Sequence, residues 1–282
     1  MATLADIEQT KTHRGENFPV ASWLIGREHR PTILRFYRFA RAADDVADHP
    51  TLPEQDKLKL LDQLEDTLLG KNDIAADAVP LRGALAERKL TPQHAQDLLT
   101  AFRMDVTKRR YRDWDDLMHY CRYSAMPVGR FVLDVHGESQ STWPANDALC
   151  AALQVINHMQ DCRADYQRLD RVYVPLDAMA RAGTNVEALA ADRATPELRR
   201  CLLDVMERTD ALVRAAEPFS AQIKDLRLAL EVAVIQNIAR TLTDILRRRD
   251  PLSERVHLGA LGFAGRAAAG IGQGLAQRWR KP

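Results

Sequence analysis

Apolar residues recur every three or four positions along most of the chain, which is the period of an amphipathic α-helix. Residues 54–69 show the pattern clearly, with six leucines at helical spacing before Gly70, a residue that readily ends a helix. The sequence lacks both the alternation typical of β-strands and the Asn-Gly or Asp-Gly pairs of tight hairpins. The pattern therefore predicts an all-α protein.

Proline residues set several of the expected helix boundaries. Pro31 suits the first turn of a helix, because its missing N–H group would have no partner there. His49 precedes Pro50 and is disfavoured in helical geometry, so we expect the same helix to end at Asp48. The main irregular connection spans residues 168–195. The expected helices cover a segment after Pro19 and residues 31–48, 54–69, 74–88, 92–103, 114–135, 146–165, 197–216, 218–246 and 252 onward.

The composition narrows the class of protein. Hydrophobic residues make up 46% of the 282, which is enough for a sizeable core. The net charge of +1 argues against a nucleic-acid partner, because proteins that bind nucleic acid normally present a strongly basic face. The four cysteines lack metal-ligand spacing and are expected to be reduced thiols. With no secretory signal and no membrane-length apolar run, the expected location is the cytoplasm.

The two ends of the chain differ from its body. We expect an N-terminal tail over residues 1–16, one domain over 17–262, and a basic Gly/Ala-rich tail over 263–282 that carries no acidic residue. The last segment has two interpretations. A frayed terminal helix or disordered end is favoured. The alternative is a weakly amphipathic tail that makes peripheral contact with the inner face of an anionic membrane.

Two short motifs, residues 44–48 and 161–165, each place aspartates four positions apart. On a helix this spacing puts both carboxylates on one face, where their repulsion costs roughly a few tenths of a kcal/mol. Mg²⁺ prefers carboxylate oxygens and completes its coordination with water and substrate phosphates. A single such motif is usually a solvated helix face. The repetition, with Arg41 before the first pair and Gln154 and Asn157 before the second, favours a Mg²⁺-diphosphate site.

Four segments, occurring in the family's order, together resemble the squalene and phytoene synthase family of head-to-head isoprenoid synthases. The similarity extends from about residue 17 to residue 257. With the front segment ENFPVAS (16–22), the motifs look most like the bacterial HpnC branch, the hydroxysqualene synthases of hopanoid biosynthesis. The four segments are YRFARAADDVAD (37–48), YCRYSAMPVG (120–129), LQVINHMQDCRAD (153–165) and RVYVPLD (171–177).

The resemblance implies an all-α isoprenoid-synthase fold, a single-domain helical bundle in which two aspartate-rich helices face each other across a central cavity. Asp45 lies off the i, i+4 face and is expected to support Arg41 or a neighbouring helix instead. The implied ligands of Mg²⁺ are Asp44, Asp48, Asn157, Asp161 and Asp165. The implied diphosphate-binding residues are Asn17, Tyr37, Arg41 and Arg171. The residues implied to line the reaction chamber are Tyr120, Tyr173 and Gln154.

The resemblance also implies a reaction. Presqualene diphosphate would lose diphosphate, and water would capture the rearranged cation to give hydroxysqualene, so no NADPH is expected. One alternative is a transferase that condenses farnesyl diphosphate to presqualene diphosphate, squalene or dehydrosqualene. A second is a non-catalytic all-α scaffold or membrane-docked partner of companion isoprenoid synthases.

Several positions depart from the family's wider pattern. Many relatives carry arginine where this chain has Gln160 and an acidic residue where it has Ala164. Some relatives have a cavity tyrosine at a position that aligns loosely with Asp250, which we expect to cap a helix before Pro251. His158 either places a water or assists a proton transfer in the site, or makes a hydrogen bond within the neighbouring core or to another helix, which is the favoured interpretation.

Overall fold

The computed structural model of the chain describes Leu4 and residues 24–258, 265–266 and 268–272. The described residues form helices and connections without a strand, and their one isolated bridge pairs Arg110 with Val172 in parallel. The prediction of an all-α protein is confirmed. The helices are α1 (Arg30–Ala47), α2 (Glu54–Leu68), α3 (Ala78–Arg88), α4 (Gln93–Thr107), α5 (Trp114–Ser124), α6 (Met126–Val135), α7 (Trp143–Leu169), α8 (Leu176–Ala182), α9 (Pro196–Ala215), α10 (Phe219–Gln222) and α11 (Leu226–Arg248).

The expected boundaries hold best where proline or a capping side chain fixes them. Helix α1 carries Pro31 in its first turn and ends just before Asp48, as predicted. Thr195 caps α9, because its side chain accepts a hydrogen bond from the backbone N–H of Leu198. Helices α4 and α7 extend beyond the expected residues, and α3 begins at Ala78 rather than at residue 74. Most of the helix expected after Pro19 falls outside the described residues.

Three predicted helices were wrong in extent. The expected helix 114–135 is two helices, because Pro127 has no N–H group to continue the α-helical ladder across Ala125. The expected helix 218–246 breaks at Ile223, whose backbone is extended (ψ 133°), and Asp225 caps the start of α11. The helix expected from residue 252 onward does not form over residues 252–258, which follow α11 as turns and irregular chain.

The chain divides into two compact units, and the first comprises residues 1–108 and 127–139. In its described part, α1 packs against α3 and α4, and α2 packs against the same two helices. Phe36 of α1 stacks on Phe131 of α6 with ring centroids 3.9 Å apart. The buried face of α1 continues through Phe39, Ala43 and Val46. This packing fixes the rotation of α1 and thereby sets which residues its other faces present.

The second unit comprises residues 109–126 and 140–282. Its central element is the 27-residue α7, which packs against α5, α9 and α11. The segment after α7 runs alongside the segment before α5, where the N–H of Val172 donates to the carbonyl of Arg109 and that of Leu176 to the carbonyl of Tyr111. These bonds place the two segments, each of which carries a tyrosine, side by side.

The described part of the C-terminal tail is helical and packs on α11. A Cβ added at Gly270 would lie 2.7 Å from Cα of Val234 and 2.8 Å from the carbonyl oxygen of Ala233. Only glycine permits this approach between the two backbones. The boundaries expected for the tail and the domain stay predictions.

Two expectations about the chain's environment can be compared with the structure. All four cysteines are free, and Cys121, Cys162 and Cys201 are buried, which agrees with reduced thiols. None of the described helices combines the length and apolar character needed to cross a membrane.

Candidate active site

The first aspartate motif occupies the last turns of α1. Two ion pairs join it to Arg41: Nη1 lies 2.6 Å from Oδ2 of Asp44, and Nη2 lies 2.5 Å from Oδ1 of Asp45. The Arg41 side chain is 12% exposed, Asp45 is 3% exposed and Asp44 is 34% exposed. Asp45 therefore supports Arg41, as predicted, whereas Asp44 and Asp48 occupy the more exposed face.

The electrostatics of this motif favour cation binding. Burial, followed by the carboxylates of Asp48, Asp105 and Asp45, raises the pKa of Asp44 to about 7 against the opposing effect of Arg41. A third of the Asp44 side chain is open to solvent, which screens part of this repulsion. A bound divalent cation would relieve the crowding of negative charge, so the donor set suits Mg²⁺.

Asp105, a member of this acidic cluster, is missing from the sequence-based candidates. It lies near the end of α4, is 8% exposed, and acts electrostatically on Asp44. One signal could have found it. Leu98, Ala101 and Asp105 follow each other at helical spacing and all are buried, so a carboxylate stands on the apolar face of α4.

Two predicted diphosphate-binding residues precede the motif. Tyr37 is half-buried on α1, one helical turn before Arg41, which places both side chains on neighbouring positions of one face. Asn17 lies outside the described residues. Diphosphate binding by these residues stays a prediction.

The second aspartate motif lies near the C-terminal end of α7. Asn157, Asp161 and Asp165 follow at intervals of four and share a face, where Asp161 is exposed and the Asp165 side chain is 21% exposed. Cys162 lies on the adjoining, buried side of α7. Burial, with Asp165 and Asp161 nearby, raises the pKa of its thiol to about 12, so Cys162 stays protonated at neutral pH in the metal-free protein.

His158 connects three of the residues singled out by the sequence. Its Nε2 lies 3.0 Å from the amide nitrogen of Gln154, and its Nδ1 lies 3.8 Å from Oδ2 of Asp165. Its ring stacks on Tyr173 with centroids 3.5 Å apart and an interplanar angle of 14°. Because an amide nitrogen only donates, this arrangement puts the imidazole proton on Nδ1, the nitrogen that faces Asp165. The favoured expectation of a core or interhelical hydrogen bond for His158 holds in its first form, because the residue is 8% exposed and its partner Gln154 is on the same helix.

Tyr120 and Tyr173, the expected chamber-lining residues, belong to one aromatic cluster with Tyr111. The three ring centroids are 5.3–5.4 Å apart, and the side chains are 3%, 6% and 1% exposed for Tyr120, Tyr173 and Tyr111. The sequence-based candidates omit Tyr111. The signal for Tyr111 was its position inside the basic run 108–112, because an aromatic ring among charged side chains is expected only where that ring is buried.

Arg171 follows the end of α7 directly. Its N–H donates to the carbonyl of Asp165 at 3.2 Å, after Asp170 adopts a left-handed conformation (φ 52°), and its side chain is 6% exposed. This end of α7 holds the backbone of Arg171 against that of Asp165, the last residue of the second motif. Arg171 as a diphosphate ligand stays a prediction.

The arrangement within each unit suits a metal that is shared with a substrate. Among residues 24–258 and the described part of the tail, no three His, Cys, Asp or Glu side chains form a ready-made metal site. Mg²⁺ commonly binds one or two carboxylates and takes its remaining oxygens from water and phosphate. Each motif supplies such a carboxylate pair, so the residues present fit Mg²⁺ bound together with a diphosphate.

Comparison with known proteins identifies the family of the chain. A model of the squalene/phytoene synthase family matches residues 11–261. The chain belongs to this family. It is 56% identical over 263 residues to the hydroxysqualene synthase of Rhodopseudomonas palustris, covering 93% of this chain and 90% of that relative. It is 51% identical to the hydroxysqualene synthase of Zymomonas mobilis, over 92% of this chain and 89% of the relative.

Solved structures show the fold of this squalene/phytoene synthase family member. The crystal structure of squalene synthase HpnC from Alicyclobacillus acidocaldarius matches it with a TM-score of 0.72 and 32% identity, over 81% of this chain and 87% of that one. A dehydrosqualene synthase complex matches with a TM-score of 0.81 over 93% of both chains. At 21% identity the second likeness shows the fold alone.

Two departures of this family member from the wider pattern have structural counterparts. Gln160 is buried and donates its amide N–H to the carbonyl of Val256, so it ties α7 to the segment after α11. The expectation that Asp250 caps a helix is wrong, because the C-cap of α11 is Arg249. Asp250 instead accepts hydrogen bonds from the N–H groups of Leu252 and Ala194 at 3.0 and 2.9 Å. An arginine at position 160 would place a charge in this buried contact.

Proposed function

We propose that the chain is a hydroxysqualene synthase, which converts presqualene diphosphate and water into hydroxysqualene and diphosphate in hopanoid biosynthesis. The observation that carries the proposal is the 56% identity to the Rhodopseudomonas palustris enzyme across 93% of this chain. The aspartate motifs on α1 and α7 support it, because diphosphate departure needs compensation of negative charge.

Asp44, Asp48, Asp161, Asp165 and Asn157 would hold Mg²⁺ in this proposal. When bound, the metal supplies Lewis-acid stabilisation of the charge that develops on the departing diphosphate. The raised pKa of Asp44 means that its carboxyl must give up a proton to become a ligand near neutral pH.

The chain's own cations complete the diphosphate site. Arg41 is held in place by Asp45 at 2.5 Å, and its Nη1, which pairs with Asp44 at 2.6 Å, can donate to a phosphate oxygen when a cation takes that carboxylate. Tyr37, Arg171 and Asn17 would add hydrogen bonds around the same group. As the C–O bond breaks, its electron pair leaves with the diphosphate, and these donors stabilise the negative charge.

The aromatic cluster would accommodate the cation that remains. The cyclopropylcarbinyl cation rearranges to an allylic cation, and the negative π-faces of Tyr120 and Tyr173 can stabilise such a positive charge. Water then adds to the allylic cation and loses one proton, which gives hydroxysqualene, an allylic alcohol, without a reductant. Gln154, oriented by His158 at 3.0 Å, supplies an amide beside the cluster that can hydrogen-bond a single water.

The proposal also states where the protein acts and what supplies its substrate. The protein acts in the cytoplasm and receives presqualene diphosphate from a companion isoprenoid synthase, with no nucleic-acid partner. The basic tail 263–282 provides peripheral contact with the inner face of the membrane, where the apolar product is released.

A product assay tests the proposed function. Purified protein with Mg²⁺ and without NADPH is given presqualene diphosphate or, separately, farnesyl diphosphate, and lipid products are identified by mass spectrometry. We expect hydroxysqualene from presqualene diphosphate, with activity lost on addition of EDTA. Formation of presqualene diphosphate from farnesyl diphosphate would make the protein a transferase instead. Absence of product with both substrates would favour the non-catalytic scaffold.

A matched pair of variants connects the activity to the motifs. Asp44→Asn/Asp161→Asn removes one carboxylate from each motif, and we expect it to abolish detectable turnover. Asp66→Asn/Asp192→Asn removes two exposed aspartates and should retain it. Full turnover by the first variant would contradict the role of the motifs.

A further inference from the structure

A basic cleft lies at the start of α1, apart from the aspartate motif at the other end of that helix. It has a volume of about 390 Å³ and is lined by Arg27, Arg30, Pro31, Leu34, Arg35 and Arg38. The last four of these residues follow at helical spacing and share one face of α1. The volume falls in the ordinary range of sites for small organic ligands.

The cleft concentrates positive charge in a chain of nearly zero net charge. The first turn of α1 carries no acidic residue, although the positive end of the helix dipole favours one there. Two carboxylates offset part of the charge: Oε2 of Glu87 lies 3.9 Å from Nη1 of Arg35, and Asp77 interacts electrostatically with Arg38. Glu28 is directed toward His29, with Oε1 3.5 Å from Nε2.

Backbone contacts fix one cleft side chain, Arg30, and the turn that carries another, Arg27. The Nε of Arg30 donates to the carbonyl of Ile25 at 2.8 Å, which ties this side chain to the backbone before α1. The N–H groups of His29 and Arg30 both donate to the carbonyl of Gly26, so the turn that carries Arg27 is closed onto the helix start. Ordered guanidinium groups lose less conformational entropy when they bind an anion.

We infer that this cleft binds a phosphate-bearing anion, and that the bound molecule is an amphiphile with its apolar part against Pro31 and Leu34. Guanidinium groups match phosphate oxygens in bidentate geometry and are more weakly hydrated than ammonium groups. The headgroup of an anionic phospholipid and a free phosphate or diphosphate share this chemistry. The inference is independent of the proposed function, because it concerns binding at residues outside both aspartate motifs.

The test measures binding of the full-length protein in EDTA, so that metal-dependent binding of phosphate at the aspartate motifs does not contribute. One arm is co-sedimentation with phosphatidylcholine vesicles that contain or lack phosphatidylglycerol. The other arm is calorimetric titration with inorganic diphosphate. We expect Arg27→Gln/Arg38→Gln to lower the partition coefficient on anionic vesicles roughly 30-fold, about fivefold for each charge removed.

Matched variants make the result specific to the cleft. Arg193→Gln/Arg248→Gln removes the same charge from two exposed positions in the other unit and should change binding far less. Arg27→Lys/Arg38→Lys retains the charge but loses the planar fork, and should fall between the wild type and the glutamine variant. Thermal unfolding of each variant verifies that it is folded.

The outcomes separate the two sources of phosphate. Cleft-dependent binding to anionic vesicles supports the inference with a lipid headgroup as the ligand. Cleft-dependent binding of diphosphate without vesicle binding overturns the amphiphilic ligand and identifies the cleft as a site for a free anion only. Binding of neither probe, or an equal loss in the Arg193→Gln/Arg248→Gln control, overturns it. No arm measures turnover, so failure here leaves the proposed activity unaffected.

Discussion

Replacing Asp45 tests whether the first motif depends on a buried support for Arg41. In Asp45→Asn, a neutral amide replaces a carboxylate that is 3% exposed and lies 2.5 Å from Nη2 of Arg41, itself 12% exposed. Removing one partner of a buried ion pair costs about 3–5 kcal/mol, because the other charge stays buried. Arg41 keeps its pair with Asp44 at 2.6 Å, and Asp44 is 34% exposed. We therefore expect a smaller loss, about 2–3 kcal/mol.

The assay is thermal and urea unfolding of the metal-free protein. For a chain of this size, a loss of that magnitude lowers the unfolding midpoint by roughly 5–10 °C. If Arg41 binds the diphosphate as proposed, the same variant should lower kcat/KM for presqualene diphosphate about 10- to 100-fold, because Arg41 would be displaced from its position.

The control for this prediction is Asp66→Asn. Asp66 pairs with Lys71 at 2.7 Å, but the side chains are 43% and 63% exposed, so we expect the unfolding midpoint to stay near that of the wild type. If Asp45→Asn unfolded and turned over like the wild type, Arg41 would not depend on Asp45, and the proposed support would be refuted.

Three further predictions concern other groups. Burial and nearby carboxylates raise the pKa of Asp44 to about 7, so the group stabilises the metal-free fold at low pH and loses this contribution as pH rises through 7. In Asp44→Asn, the thermal unfolding midpoint measured in EDTA should therefore depend less on pH between pH 5 and 8 than it does in the wild type. His158→Ala should lower kcat about 10-fold with little change in KM, because it frees Gln154 but leaves the diphosphate ligands; a rise in KM alone would contradict this. Burial opposes ionisation of Asp250, but hydrogen bonds from Ala194 and Leu252 outweigh it and hold its pKa below the usual value. Its contribution is therefore present above about pH 4 and lost below it, so the drop in midpoint from pH 6 to 3 should be smaller in Asp250→Asn than in the wild type.

The helical class could be predicted because the apolar period is a local property of the sequence. The same period could not place the breaks at Ala125 and Ile223. An apolar face continues across each break, and only the missing N–H of Pro127 and the capping carboxylate of Asp225 interrupt the helix. Both signals were present in the sequence but were weaker than the hydrophobic pattern that surrounds them.

Within the candidate site, residue spacing predicted correctly the contacts that form within a single helix. The i, i+4 spacing placed Asp45 off the face that carries Asp44 and Asp48, and in the structure Asp45 forms an ion pair with Arg41. Tyr111 depends instead on packing between segments distant in sequence. It meets Tyr173 only because the chain after α7 runs beside residues 109–112. Asp105 likewise reaches the motif through the packing of α4 on α1.

The charges on α1 show how the metal-free protein tolerates its own site. Asp44, Asp45 and Asp48 repel one another, and Arg41 is the cation that holds the first two. A divalent cation on Asp44 would compete with Arg41 for that carboxylate while leaving the pair with Asp45 intact. Arg41 would then keep its position through Asp45 and gain donors for an anion. The order expected from these contacts is metal and diphosphate binding together, because each makes the other's charge less costly to bury.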